Sequence, residues 1–265
     1  MTPTPVTRFL ATVAPPVLFS VLVALVWHGA VTLFDLKPYL LPGPVEVAHA
    51  MSTHLGALLG AAALTAQAAL SGFVLSFAAG FLVAVLFSQS RLAERSLYPY
   101  AIFLQTVPIV AIAPLIVLWV GHGLAGVVAV SFIISLFPII ASTTAGLTSV
   151  DTELLDLFSL NEASRWQVLT KLRIPHAVPA MLTGARISCG LSVIGAIVGE
   201  FFAGYGTQDF GLGYLIILTN AQMKTPYLFA SVLFSTALGL IFFGAISGLS
   251  RRVLGRLSGG SDEVH

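Results

Sequence analysis

The chain consists of long stretches without a charged side chain, separated by short charged segments. No Lys, Arg, Asp or Glu occurs between Arg8 and Asp35, and none occurs from residue 96 to residue 150. A helix needs about 20 consecutive apolar residues to cross the hydrocarbon core of a bilayer. The first stretch is therefore long enough for one membrane-spanning helix, and the second is long enough for two.

The composition requires lipid around most of the chain. Hydrophobic residues make up 57% of the 265 residues and charged residues 9%, with a mean hydropathy of +0.97. Soluble domains carry about 25% charged residues. The apolar run after Arg8 exceeds the roughly 7 to 15 residues of a signal-peptide core, and we interpret it as a retained first span. The net charge of +1 gives no indication of a nucleic-acid partner.

We predict an all-α integral membrane fold with six spans. Residues 37–60 are predicted to form an extracytoplasmic connection with a short surface helix, and residues 203–227 a linker. Small residues give the second span a face on which another helix can pack closely, namely Ser71, Gly72, Ser76 and Gly80. The spans are placed at 15–34, at 64–87, twice between 96 and 150 with a turn at Gly121-His122-Gly123, at 180–202 and at 228–249.

The basic residues orient these spans. Of the twelve Lys and Arg residues, only Lys37 and Lys224 fall on one side of the predicted membrane. Basic residues concentrate on the cytoplasmic side, so both termini and residues 149–179 are predicted to be cytoplasmic. The residues on that side are Arg8, Arg91, Arg95, Arg165, Lys171, Arg173, Arg186, Arg251, Arg252 and Arg256.

The long polar segment at 149–179 is predicted to begin with a short helix. Ser149 or Asp151 can cap it by accepting an amide proton of its first turn. Its apolar residues share one face, as the spacing of Leu154, Leu157 and Phe158 shows. We interpret this segment as the contact with a soluble partner; the alternative is an amphipathic loop that lies on the membrane surface.

A second short helix is predicted in the same segment. Asn161 can cap it, and Trp166, Leu169 and Leu172 recur within it at threefold spacing. Because a proline disfavours helical geometry in the residue before it, Pro175 is predicted to end this helix.

Residues 162–179, EASRWQVLTKLRIPHAVP, resemble the cytoplasmic loop motif of ABC importer permeases. In that motif an acidic residue and two alanines precede a glycine, and a mixed polar stretch then leads to an apolar pair and a proline. Alignment on Pro175 places Asp156 at the acidic position. Leu157 and Phe158 stand where the motif has the two alanines, and Glu162 stands where it has the glycine.

The resemblance implies a coupling helix that seats on an ATPase subunit. The residues that it assigns to this contact are Asp156, Glu162, Ala163, Ser164, Arg165, Trp166 and Pro175.

Four further segments resemble the nitrate, sulfonate and taurine branch of the same family. They are LLPGPVEV at 40–47, VPIVAIAPLIVLWVGHG at 107–123, FPIIASTTAG at 137–146, and GEFFAG with GLGYLI at 199–216. The resemblance implies a type I importer permease in a bacterial inner membrane, divided into residues 1–62, a permease core at 63–252 and a cytoplasmic tail at 253–265. The implied solute is small and polar or anionic: nitrate, a sulfonate, taurine, a pyrimidine or a vitamin precursor.

The resemblance also implies the partners. They are two ATPase subunits, an extracytoplasmic binding protein and a second permease, which we expect to be another copy of this chain. The sequence contains no G-x-x-x-x-G-K-[ST] pattern, so no nucleotide site of the P-loop kind is predicted in it. We therefore expect no enzyme activity and no bound cofactor or metal, with ATP and Mg²⁺ held by the ATPase subunits.

Few residues are candidates for the translocation path. Glu200 is a carboxylate in a predicted span, where ionisable groups are costly and commonly functional. It is predicted either to act in a gate or to cap the neighbouring loop amides. The other candidates for path or gate are Gln105, Thr106 and Phe201.

An ion-coupled secondary transporter that works without an ATPase is the alternative function. Such proteins commonly place ionisable residues at mid-membrane and contain internal repeats. Only Glu200 is such a residue here, and no repeat divides the chain, so the importer permease is favoured. A membrane enzyme is disfavoured because no nucleophile and base pair and no metal-ligand cluster is evident.

Overall fold

A computed structural model describes the backbone of residues 5–203 and 211–259 and the side chains of 14–203 and 211–256. Every regular element in these ranges is a helix. They are α1 (Pro5–Leu33), α2 (Pro44–Thr53), α3 (Leu55–Gln89), α4 (Arg91–Thr106), α5 (Ile109–Val120), α6 (Leu124–Thr148), α7 (Thr152–Leu160), α8 (Arg165–Val168), α9 (Ile174–Ala203), α10 (Leu212–Ala221) and α11 (Thr225–Gly259), with a π-helical turn at Leu169–Arg173 that joins α8 to α9.

Five of the described helical segments are long and apolar enough to cross a membrane, and α4 with α5 makes a sixth if this bent pair is one span. The predicted all-α membrane fold is therefore confirmed. The five segments are Ala14–Leu33, Leu55–Gln89, Leu124–Thr148, Arg165–Ala203 and Thr225–Arg256. Several of them extend past the predicted spans, because backbone hydrogen bonds continue a helix beyond the apolar residues that lipid requires.

The third predicted span is broken near its middle. The axes of α4 and α5 are bent by 103°. Val107 has extended geometry, with φ −72° and ψ 125°, as expected for a residue that precedes a proline. Pro108 then begins the turn from which α5 starts. Pro114 and Pro138, in contrast, lie inside α5 and α6.

The predicted turn at Gly121-His122-Gly123 is confirmed. It separates α5 from α6, and both glycines have positive φ, at 115° and 84°. Glycine adopts this region readily because it has no Cβ. Gly123 also donates its amide to the carbonyl of Ala203 at 3.2 Å, which ties the turn to the end of α9.

The chain folds as two compact units, of which one contains the described parts of Leu59–Tyr214 and Phe234–His265. In this unit α3, α6 and α9 pack closely because small residues line their contacts. A Cβ atom on Gly80 would lie 2.8 Å from the Ile139 side chain, and one on Gly195 would lie 2.7 Å from Ser131 Cα. The predicted small-residue face of α3 is thus confirmed.

Buried serines connect the same three helices. Ser76 and Ser135 lie 2.7 Å apart at their hydroxyl oxygens. Ser131 donates to the carbonyl of Ser192 at 2.8 Å, and Ser188 donates to the carbonyl of Ser135 at 2.7 Å. Hydroxyl groups that find carbonyl acceptors on a neighbouring helix stabilise helix contacts within a membrane.

The other unit contains the described residues up to Leu58 together with Leu215–Leu233. The predicted short helix in this connection is confirmed as α2, and the amide of Gly43, the residue before it, donates to Glu46 Oε2 at 3.0 Å. The ring of His54 stacks on Tyr227 at 4.2 Å, and Trp27 stacks on Phe229 at 5.9 Å.

The predicted linker at 203–227 contains α10, and α11 already begins at Thr225. Residues 204–210 of the linker lie outside the described residues. At the other end of the sequence, α11 continues through Gly259, into the part predicted as a tail, and residues 260–265 lie outside the described residues.

Candidate functional site

The polar segment after α6 carries exposed apolar side chains. Leu157 and Leu160 of α7 are 52% and 83% exposed, and Trp166 of α8 is 70% exposed. Asp156 is exposed beside them. Short amphipathic helices with uncovered apolar side chains are suited to docking in a groove of another protein.

The end of α7 forms a Schellman motif. The Ala163 amide donates to the carbonyl of Phe158 and the Glu162 amide donates to the carbonyl of Ser159, both at 3.0 Å. These are the two bonds that define the motif, and its central residue has left-handed geometry. Glu162 occupies that place with φ 51°. The residue that aligns with the glycine of the permease motif is thus the one whose backbone favours glycine.

The capping groups differ from those predicted. Asp151 stands at the N-cap position of α7 but its side chain makes no capping bond, and Ser149 bonds instead to the carbonyl of Gly146 at 3.2 Å. Asn161 does not cap the second helix, because Ser164 does. The Ser164 hydroxyl accepts the amide of Gln167, and the Gln167 side chain accepts the amide of Ser164 at 2.8 Å. The sequence signal for this capping box, Ser-x-x-Gln, is present at 164–167.

The prediction that Pro175 ends the second helix is wrong. Helical backbone continues from Arg165 to Ala203. A proline ring normally clashes with the carbonyl four residues earlier. Here the π-helical turn widens the helix before Pro175, and the Ile174 amide bonds to the carbonyl of Leu169, five residues back. Such wide turns commonly occur at functional sites.

The same turn is attached to the bundle. Arg173 donates to the carbonyl of Ser88, at the end of α3, at 2.6 Å. Leu169 is buried in a cluster with Ala84 of α3 and Leu147 of α6. Movement of α8 would therefore be transmitted to α9 through continuous helix and to α3 and α6 through these contacts.

Two small cavities border this segment. One of about 280 Å³ is lined by residues of α7, of the turn after it, of α8 and of the π-helical turn, namely Leu157, Phe158, Asn161, Ala163, Gln167 and Lys171. Another of about 200 Å³ brings Ala163 and Arg165 together with Ser88, Gln89, Val168 and Arg173. Trp166 lines neither cavity and projects into solvent, whereas Leu169, predicted on the same face, is buried.

The candidate path residues fall at different places. Gln105 and Thr106 lie at the end of α4, beside the 103° bend, where they help to line a cavity of about 360 Å³ with residues of α6 and α9. Glu200 lines another cavity, of about 320 Å³, and Phe201 lines neither of the two.

The side chain of Glu200 is buried and accepts hydrogen bonds from a backbone amide and from a hydroxyl group. Its Oε2 atom accepts the Gly213 amide at 2.7 Å and the Thr65 hydroxyl at 3.0 Å. The Thr65 hydroxyl in turn accepts the Leu212 amide at 2.9 Å. These two amides belong to the first turn of α10, where a helix has no acceptors of its own. This geometry is that of a cap, which was one of the two predicted roles of Glu200. Sequence reasoning missed Thr65, since nothing in the sequence links it to a residue 135 positions away.

The family model described as "Binding-protein-dependent transport system inner membrane component" matches residues 72–255. A probable ABC transporter permease protein from Haemophilus influenzae is 34% identical over 90% of this chain and 96% of its own length. The formylaminopyrimidine transport permease protein ThiX from Halalkalibacterium halodurans is 33% identical over 90% of this chain and 94% of its length.

Two further comparisons extend this set. The riboflavin transport system permease protein RibX from Chloroflexus aurantiacus is 34% identical over 87% of this chain and 85% of its length. Among solved structures, an inward-facing MetNI methionine ABC transporter matches with a TM-score of 0.65 at 17% identity, over 76% of this chain and 98% of that chain. The likeness to this transporter shows that the two share a fold.

Proposed function

Because the chain belongs to the binding-protein-dependent transport system inner membrane component family and is a multi-pass permease subunit of an ABC importer, we propose that it forms the translocation path for a small polar or anionic solute. Two relatives are named for the transport of formylaminopyrimidine and of riboflavin, and both compounds are polar heterocycles. A putative permease from Bacillus subtilis, 26% identical, is named for aliphatic sulfonates. These names support the proposed solute class.

The observation that carries the proposal is the exposed α7–α8 segment. It presents Leu157, Leu160 and Trp166 to solvent on helices that are tied to α3, α6 and α9. In the proposed mechanism two ATPase subunits hold ATP and Mg²⁺, bind this segment on two copies of the chain, and move the spans as rigid bodies. The solute arrives from an extracytoplasmic binding protein, and the path opens alternately to either side of the membrane.

The charge of α7 favours a protein partner over the membrane surface. Helices that lie on membranes carry Lys and Arg on their polar face, which anionic lipids attract. The polar face of α7 carries Glu153 and Asp156 and no basic residue. Anionic head groups would repel these two carboxylates.

The double variant Arg165→Ala/Trp166→Ala tests the proposed coupling. Both side chains are exposed, so membrane insertion and the fold should be retained. We expect ATP-dependent uptake to be lost, either because ATP hydrolysis continues without uptake or because the ATPase no longer assembles with the permease. Normal uptake by the double variant would contradict the assignment of α8 to the ATPase contact.

A further inference from the structure

Glu200 and Thr65 share one short network of hydrogen bonds with the first turn of α10. Glu200 belongs to α9 and Thr65 to α3, and both side chains are buried, at 5% and 0% exposure. Each receives one amide proton of the helix start, from Gly213 and from Leu212. The hydroxyl of Thr65 also reaches Glu200 Oε2, with the Ala61 carbonyl as its second acceptor at 3.1 Å.

The fit around the carboxylate leaves no room for an additional group on the α10 side. A methyl group on Gly211 would overlap the carboxylate of Glu200, and one on Gly213 would lie 2.9 Å from Glu200 Cβ. Close approach of backbone to a side chain of this kind requires glycine. The carboxylate is therefore enclosed by the backbone that it binds.

This network stands on the wall of a cavity. The cavity of about 320 Å³ is lined by Glu200 and Gly211 together with Leu64, Gln67, Ala68, Gly123, Leu124, Val127, Ala203 and Tyr214. Its lining therefore comes from α3, from α6 and the turn before it, from α9 and from the start of α10. The positions of these elements determine the shape of the cavity, and the network joins three of them.

We infer that Glu200 and Thr65 are positioning residues for transport: together they fix the start of α10 against α3 and α9, and so maintain the wall of this cavity. In this role the Glu200 carboxylate acts as a hydrogen-bond acceptor for protein groups and is not a ligand of the solute. The inference rests on the proposed transport function and adds to it the residues that hold the path in shape.

Conservative variants separate this role from a role in solute binding. In Glu200→Gln the amide oxygen can still accept two hydrogen bonds, whereas Glu200→Ala loses both. Thr65→Ser keeps the hydroxyl, and Thr65→Val removes it from a side chain of nearly the same shape. If the two residues act by fixing the start of α10, Glu200→Gln and Thr65→Ser should retain the amide protection and the uptake that Glu200→Ala and Thr65→Val lose.

The first measurement is hydrogen–deuterium exchange of the purified chain in nanodiscs, followed in peptides that contain Leu212 and Gly213. These amides have no acceptor within α10, so their protection depends on the two side chains. We expect exchange at least tenfold faster in Glu200→Ala and Thr65→Val, and exchange near the wild-type rate in Glu200→Gln and Thr65→Ser. Unchanged exchange in Glu200→Ala would overturn the inference.

The second measurement is ATP-dependent uptake of labelled formylaminopyrimidine, riboflavin and an alkanesulfonate by vesicles with the complete transporter. For the compounds transported, Vmax should fall at least tenfold in Glu200→Ala and several-fold in Thr65→Val with KM unchanged, and the conservative variants should stay within about threefold of wild type. A KM raised by Glu200→Gln would show that the carboxylate binds solute and would also overturn the inference. If the amides of Leu212 and Gly213 are protected from exchange in the wild-type chain but its solute uptake does not depend on ATP, the proposed function is contradicted. The positioning role of Glu200 and Thr65 would then still stand.

Discussion

Replacement of Trp166 by alanine should weaken binding of the ATPase subunit. An aromatic side chain buries about 150–250 Å² in an interface, and Trp166 is 70% exposed in the chain alone. About 100–170 Å² is therefore available to be covered, which at about 25 cal/mol per Å² corresponds to roughly 2.5–4 kcal/mol. Large aromatic side chains at interface centres commonly cost at least about 2 kcal/mol on truncation. We expect the dissociation constant to rise at least about 30-fold.

The assay is equilibrium binding of the purified ATPase subunit to the permease in detergent, with Trp166→Ala compared to Trp119→Ala. Trp119 is a matched control because it is 76% exposed but lies in the apolar helix α5, where lipid is its expected contact. The control should bind the ATPase as the wild type does. A dissociation constant for Trp166→Ala within threefold of wild type would refute the reasoning, as would equal weakening by both variants.

Three further predictions concern backbone geometry and packing, each measured by thermal unfolding in detergent. Glu162→Gly should stabilise the chain by about 0.5–1 kcal/mol. Relief of the left-handed geometry at this position gains about 1–2 kcal/mol, whereas the greater flexibility of glycine in the unfolded chain costs about 0.5–1 kcal/mol. Glu162→Ala, the control, should give no such gain. Gly195→Ala should destabilise the folded chain by about 1–3 kcal/mol through overlap with Ser131. The control Gly190→Ala lies in the same helix, and a Cβ atom there would have nothing within 4 Å, so this variant should be neutral or slightly stabilising. Arg173→Ala should cost about 1–2 kcal/mol through loss of its bond to the Ser88 carbonyl, and an equal melting temperature would contradict that contribution.

Local and periodic features of the chain could be predicted from its sequence. The uncharged stretches predict the spans, since burial in lipid depends on composition over about 20 residues. The glycines at 121 and 123 predict the turn between α5 and α6. Gly72 and Gly80 predict that another helix packs closely on α3, and the structure shows that this helix is α6. Each of these features depends on the absence of a Cβ atom. The cap at Ser164 could also be predicted from the sequence, since Gln167 follows it at the spacing of a capping box.

Features that depend on distant residues could not be predicted in this way. The partner of Glu200 is Thr65, which is separated from it by 135 positions and resembles any other threonine of an apolar helix. Pro175 would end an ordinary helix, and only the π-helical turn at Leu169–Arg173 lets the backbone continue past it. The choice between a gate and a cap for Glu200 likewise required the positions of Leu212 and Gly213 in space.

The proposed function is tested most directly by purifying the tagged chain in mild detergent. The associated proteins are identified, and ATP hydrolysis by the purified material is assayed. We expect a soluble subunit with a G-x-x-x-x-G-K-[ST] sequence to co-purify and to hydrolyse ATP. The Arg165→Ala/Trp166→Ala chain should either lose this subunit or retain it without ATP-dependent uptake. A chain that purifies without such a subunit and carries solute into liposomes under an ion gradient alone would contradict the proposed importer function and establish a secondary transporter.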